Sequence, residues 1–372
     1  MRQCEDQRMP TTPMIEPYDA VLLVSFGGPE KPDDVLPFLE NVTRGRGIPA
    51  DRLAEVARHY DSFGGRSPIN DQCRAFVAAV RADFSEHGLA TPIYWGNRNW
   101  DPYLAETVAQ MKADGVRRAA AFVTSAYASY SGCRQYRENL FDAVTKTDDP
   151  PQVDKLRHYF NHPGFIGAFV DATCAAIAQL PHPLQSGARL VFVTHAIPAP
   201  MAESSGPAGG AYVTQHRAAA EGVAQAVRER TGAQHTHDLV YCSRSGPPEV
   251  PWLEPDVNDH LERLAATGGE AVVVVPIGFV SDHMEVVYDL DTEARATAER
   301  LGLAFRRAAA PGVHPAFVAT VRDLLQERAQ VERGDPVRRS AVGTLGPTWD
   351  RCAQHCCPNP REDRPALCEA SS

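Results

Sequence analysis

Positive charge is in short supply in this sequence. Lys and Arg number 37 against 47 Asp and Glu, a formal net charge of −10 with pI about 5.7. A protein that grips the phosphate backbone needs the opposite balance, so a nucleic-acid partner is not expected. Long apolar runs are missing as well. The longest strongly apolar stretch, residues 272–280, is broken by Pro276 and falls far short of the ~20 residues a membrane-spanning helix needs. Residues 1–17 hold Asp, Glu and Pro and no apolar signal core. These absences predict a chain without a transmembrane segment, working in a reducing cytoplasm. Its nine cysteines are then expected as free thiols or metal ligands rather than disulfides. The glycine-rich segment SFGGPEKPDD at 25–34 contains neither GxGxxG nor Gly-Lys-Ser/Thr, which leaves nucleotide binding with little support. The CxxC…CxxC pattern of many zinc sites is absent too.

What is present is an ordinary globular composition, 43% hydrophobic and 23% charged. At roughly 150 residues per domain, 372 residues suggest two domains. Strand-like runs fall at 20–24, 93–95, 119–123 and 155–159, and again at 189–194, 237–242, 271–277 and 303–306. Helical patterns separate them, at 33–42, 51–63, 71–86, 101–113, 131 onward and 163–180, then at 211–230, 256–266, 284–301 and 315–331. Asp101-Pro102 reads as an N-cap with proline at the first helical position. Corresponding strands sit roughly 145–170 residues apart, the mark of two similar βα units. Strand–helix alternation implies parallel sheets covered on both faces. The reading is therefore α/β, two similar domains at 18–180 and 181–332, each a four-stranded parallel sheet flanked by helices. An N-terminal extension covers 1–17. The boundary falls in the polar stretch 181–187. A cysteine-rich tail, 333–372, is too poor in apolar residues to bury a core of its own, and a metal centre would give it a reason to be ordered.

Ligands of open α/β sheets bind beyond the carboxyl ends of strands. His195 stands there in VFVTHAIP. A lone histidine at a strand end is more often packed and inert, and the long glycine-rich loop after it favours function only slightly. Residues 278–294, GFVSDHMEVVYDLDTEA, carry more information. Glu285, Asp289 and Glu293 at i, i+4 and i+8 share one face of a helix, with Asp282 and His283 at its start. Such a row is usually a solvated acidic face. Like carboxylates at i, i+4 nevertheless cost a few tenths of a kcal/mol per pair, and a row of them makes better sense if it holds or conducts cations. Oxygen ligands suit hard or borderline divalent metals. His195 and Glu285 come from equivalent strand ends and could share one ion or accept protons. Arg44 and Arg46 in NVTRGRGIP read either as solvated charge or as forks for a carboxylate. Cys352, Cys356, Cys357 and Cys368 crowd the tail. They are either a reactive tail or part of an iron–sulfur site that takes a fourth thiolate from the body, where Cys133 is the candidate. Cys73, Cys174 and Cys242 look like core residues.

The segments LLVSFGGPE, FGGRSPIN, VTHAIP, SRSGPP…PWLEPDV and GFVSDHMEVVYDLD occur in this order and resemble the ferrochelatase family from about Tyr18 to Leu325. VTRGRGIP and the cysteine-rich C-terminus look like the actinobacterial coproporphyrin type, many of whose members carry a [2Fe–2S] cluster. The resemblance implies two Rossmann-like, chelatase-like domains with a porphyrin cleft between them. It implies that His195 and Glu285 flank the inserted metal and that Asp289 and Glu293 form the metal's path. Ser67 and Tyr136 match porphyrin contacts, and Arg44 and, more loosely, Arg46 match residues that meet propionates. Phe26 stands where some members have a tyrosine that ligates product iron, and it offers no oxygen. The cluster set is expected to be Cys133, Cys352, Cys356 and Cys357. The tail departs from the Cys-x2-Cys-x4-Cys of animal members, and adjacent Cys356 and Cys357 are expected to point in different directions. Both then bind only if they reach different irons; otherwise Cys368 replaces one.

The expected activity is insertion of Fe2+, the substrate metal, into coproporphyrin III. Protoporphyrin IX as substrate, a non-catalytic tetrapyrrole or iron carrier, and an iron–sulfur redox sensor remain alternatives. His195 is expected to accept a pyrrole proton or to present Fe2+ from one face, with Glu285 beside it as the second acceptor, and the sequence leaves open which is base and which is ligand. The cluster is expected to staple the tail, since insertion of Fe2+ requires no electron transfer. A monomer handing its product to a coproheme decarboxylase completes the expectation.

Overall fold

The computed structural model describes residues 14–45, 47–246 and 249–369. Arg46 and most of the N-terminal extension lie outside them. The first half contains β1 (Ala20–Ser25), β2 (Ile93–Asn97), β3 (Arg118–Val123) and β4 (Gln152–Lys155), and the second β5 (Arg189–His195), β6 (His237–Cys242), β7 (Ala271–Val275) and β8 (Ala304–Arg307). The two sheets have the same order, β2-β1-β3-β4 and β6-β5-β7-β8, and every ladder is parallel. Parallel strands need helical crossovers, which cover both faces, so central strands are apolar throughout. All six residues of β1 and all five of β7 are buried. Each order reverses beside its first strand, between β1 and β3 and between β5 and β7. That reversal opens a crevice at the strand tips.

The halves share one hydrophobic core. Val21, Leu23 and Phe122 of the first sheet and Leu190, Phe192, Val273 and Val275 of the second belong to the same buried cluster, filled by Phe165, Phe169 and Phe317 from the helices Pro163–Ala178 and Pro315–Arg333. The tail is sewn to this body by polar contacts. Buried Arg157 donates to both carboxylate oxygens of Glu327 (2.5 and 3.0 Å) and to the Ser340 carbonyl (2.9 Å). Arg137 donates to the Leu367 carbonyl (2.6 Å), and Val342 N–H to that of Asn161 (2.8 Å).

Four local expectations change. β4 ends at Lys155, earlier than the apolar run at 155–159 suggests. Asp154 is tolerated inside the strand because Arg118 donates to it at 2.7 Å, and Tyr159 and Phe160 leave the ladder for the shared core. The helix after Asp101-Pro102 begins at Leu104, with Tyr103 as its N-cap. The segment after Ser129 opens as a π-helical turn, Tyr130–Arg134, with the Ser129 hydroxyl accepting from Gly132 N–H. The acidic helix is π-helical over Val286–Ala294 before it becomes α-helical at Arg295–Arg300.

Candidate active site

His195 is the last residue of β5, and Glu285 lies beyond the tip of β7, so the pair flanks the crevice of the second sheet. Their side chains meet, His195 Nε2 lying 3.5 Å from Glu285 Oε2, and His283 Nδ1 is 3.9 Å from the same oxygen. The other His195 nitrogen, Nδ1, donates to the Ala196 carbonyl in a short contact. That bond leaves Nε2 facing the crevice. The pair remains open to solvent, with side-chain exposures of 32% and 49%. Burial alone would lower the His195 pKa, but the Glu285 charge, its hydrogen bond and the Ala196 carbonyl raise it to about 9. Burial would raise Glu285, and His195 outweighs that and holds it at about 2. Near pH 7 the pair is an imidazolium and a carboxylate. Burial keeps His283 below its usual value, so it stays neutral.

Asp289 and Glu293 of the acidic row lie in the π-helical stretch that follows Glu285, and such segments are frequent at functional sites. Asp289 is raised to about 7 by burial, with the Glu285 and Glu293 charges acting in the same direction against a hydrogen bond from Ser243. Ser243, at φ +62° just past β6, donates to Asp289. Asp282 does not join the row. It pairs with Arg307 at 3.1 and 3.2 Å and braces the β8 edge.

The first half meets this row through direct contacts. Met284 packs with Phe38 and Tyr60, and the His59 ring stacks on Tyr288 at 4.0 Å. At the tip of the first sheet stands Arg98, which composition and motifs did not single out. Its guanidinium lies 5.5 Å from the Phe26 ring centre and 4.9 Å from that of Tyr136. The available signal was its place directly after β2. Tyr136 is buried, and Ser67 is buried with its Cβ under Gly28, where a second Cβ would come within 2.9 Å. Arg44 is exposed at the end of the helix Pro32–Thr43.

A second centre forms where the tail crosses the first half. Cys133, Cys352, Cys356 and Cys357 are buried together with Ala128, and Trp349 and Ala211 pack against them. Cys356 and Cys357 sulfurs lie 3.8 Å apart, so the neighbours point the same way, contrary to expectation. Cys357 sits at φ +54°, in the left-handed region, which turns its side chain back toward Cys356. Hydrogen bonds run along the row from Cys133 to Cys352, Cys356 and Cys357. They push Cys352 and Cys357 down and Cys133 and Cys356 up. Cys368 is engaged elsewhere, its sulfur accepting from Lys155 N–H at 3.1 Å. Among the described residues no three His, Cys, Asp or Glu side chains surround a single ion-sized point; the thiols form a row.

The two-sheet fold is that of chelatases. SirB from Bacillus subtilis with Fe3+ superposes with a TM-score of 0.50 at 12% identity, covering 84% of this chain and 97% of its own. The match with the ferrochelatase family extends over residues 18–329. A coproporphyrin III ferrochelatase of Streptomyces coelicolor is 58% identical over 373 residues, 98% of this chain and 99% of that protein. That of Frankia alni is 55% identical, covering 92% and 87%, and a ferrochelatase of Rhodopirellula baltica 49%, covering 92% and 94%. The chain belongs to the ferrochelatase family, enzymes that insert metal into a porphyrin.

Proposed function

We infer that this enzyme inserts Fe2+ into coproporphyrin III, the reading best supported by the His195–Glu285 contact at the crevice and by the coproporphyrin III ferrochelatases that match nearly the whole chain. A free-base porphyrin gives up two N–H protons for each Fe2+ it takes, so the site must accept protons while it presents a cation. The resting imidazolium–carboxylate pair answers both needs. Fe2+ arriving beside Glu285 drives the imidazolium proton out to the solvent that reaches the pair. The freed Nε2 then accepts a pyrrole proton, and Glu285 serves as the second acceptor. Asp289 and Glu293 line the iron's approach, and Asp289, poised near 7 and accepting a hydrogen bond from Ser243, takes up a released proton. Phe26, Arg98 and Tyr136 form the wall for the macrocycle, supported by Ser67, while Arg44 and Arg46 meet propionates. Binding energy from the ring's periphery is spent on bending it so that the nitrogen lone pairs face the metal.

The thiol row fits a [2Fe–2S] cluster. Two thiolates on one tetrahedral metal at about 2.3 Å lie about 3.8 Å apart, the spacing of Cys356 and Cys357. Four thiolates, two sulfides and two ferric ions carry a net charge of −2. Arg137, fully buried with one Nη lacking a hydrogen-bond partner, and buried Lys155 supply compensating charge. Cys133, Cys352, Cys356 and Cys357 would hold the cluster, whose role here is to pin the tail to the first half. The enzyme acts in the cytoplasm as a monomer and passes iron coproporphyrin to a decarboxylase.

The test is anaerobic Fe2+ insertion with coproporphyrin III and protoporphyrin IX in parallel, after recording the protein's visible spectrum. Strong preference for coproporphyrin III and [2Fe–2S] absorption are expected. Turnover of protoporphyrin alone would overturn the substrate assignment, and tight binding of both without turnover would leave a carrier.

A further inference from the structure

Behind His195 lies a buried polar network that metal insertion itself does not call for. The Tyr212 hydroxyl donates to the His195 carbonyl at 2.8 Å and lies 2.9 Å from Thr194 Oγ1. Thr194 Oγ1 is also 2.9 Å from His216 Nε2, and His216 Nδ1 donates to the Tyr212 carbonyl at 2.7 Å. The His216 ring stacks on Tyr127 at 3.5 Å, and the Tyr127 hydroxyl donates to the Ile277 carbonyl at 2.9 Å, just past β7. Thr194, Tyr212 and His216 are all buried. Three polar side chains in a site of this kind are costly unless they are bonded, and here the network reaches the 195–196 peptide unit through the Tyr212 hydroxyl. The His195 carbonyl is held by Tyr212, and Ala196 N–H donates to the Cys242 carbonyl at 2.7 Å. The Ala196 carbonyl in turn receives the His195 Nδ1 proton. A rotation of the 195–196 backbone would break that ring contact and swing Nε2 away from Glu285.

We propose that Tyr212 is a positioning residue for His195: by bonding its carbonyl, and being fixed itself by Thr194 and His216, it locks the peptide that aims the imidazole into the crevice. The proposal rests on the role given to His195 above. Tyr212 has a second tie, at the N-terminal turn of its helix, Ala211–Thr231. Its N–H donates to Ser205 Oγ at 2.8 Å, and the adjacent Gly206 N–H donates to Cys357 Sγ at 3.0 Å. One short segment thus spans from the thiol row to the catalytic strand tip.

The experiment is Y212F, with T194V and T194S beside it, in full-length protein containing its native complement of metal. Phenylalanine keeps the ring and removes only the hydroxyl. Misplacing a reacting group by about 1 Å can cost about 100-fold, so kcat for iron insertion should fall at least about tenfold in Y212F and T194V. KM for the porphyrin should stay within about twofold, and T194S should restore turnover. The His195 Nδ1 proton, identified in proton NMR by its absence from H195Q, should shift or exchange rapidly in Y212F. An unchanged His195 proton resonance and wild-type kcat in Y212F, with H195Q inactive, would overturn the proposal alone. Full activity of H195Q would instead overturn the role of His195 on which it stands.

Discussion

The two halves have the same strand order and present different chemistry at their strand tips. Beyond β1, β2 and β3 the first half offers Phe26, Arg98 and Tyr136, rings around a guanidinium. Beyond β5, β6 and β7 the second half offers His195, Ser243, Glu285 and Asp289, groups that bind cations and move protons. On the proposed reading, one repeated fold is divided between holding a flat macrocycle and handling a metal with its protons. The His59–Tyr288 stack and the Met284 contacts join the two halves beside the acidic row.

Substitutions on the two sides should separate these tasks. The largest effect belongs to the second half. Glu285→Gln removes a proton acceptor and should lower kcat by about 10²–10⁴-fold, the usual weight of a positioned acid or base, with porphyrin affinity nearly unchanged by fluorescence titration. A comparable loss of porphyrin affinity would erase the distinction. Next comes the tail. Glu327→Gln leaves buried Arg157 without its ionic partner, which costs about 3–5 kcal/mol and should appear as a much lower urea midpoint. Cys352→Ser should abolish [2Fe–2S] absorption and lower the thermal midpoint while leaving kcat in the surviving protein intact. Unchanged stability would contradict the staple. In the first half, Arg98→Ala removes the cation that orders the Phe26 and Tyr136 rings and should raise the porphyrin KM severalfold while leaving kcat close to wild type. The smallest effect is on pH dependence. Asp289, raised to about 7, is neutral below that pH and ionised above it. KM for Fe2+ should therefore fall as pH rises through 7, and Asp289→Asn should flatten that limb.

The pairing of His195 with Glu285 was legible in the sequence because strand tips and helix starts follow from apolar periodicity, and seven of the eight strands could be read that way, the run at 155–159 meeting β4 only at Lys155. A link between tail and body thiols could be read from the cysteine spacing and the place of Cys133 after the third strand, with a reactive tail as the open alternative. What was hidden depends on conformations that periodicity does not encode. The π-helical turns differ from α-helix by one residue in hydrogen-bond reach, so the apolar spacing of 284–301 passes for α-helix. The shared direction of Cys356 and Cys357 hangs on one left-handed residue. Asp154 looks wrong for a strand until Arg118 is placed beside it. Arg98 is one of 37 cations until the two rings that flank it are known. Tyr212 and His216 pass for helix-core residues until their hydrogen bonds to β5 are traced.

The division of labour between the halves is tested most directly by His195→Ala, with coproporphyrin III binding and anaerobic Fe2+ insertion measured on the same preparation. The account predicts near-normal porphyrin affinity with turnover reduced at least a hundredfold. Iron insertion at close to the wild-type rate, or loss of porphyrin binding in step with turnover, would contradict it.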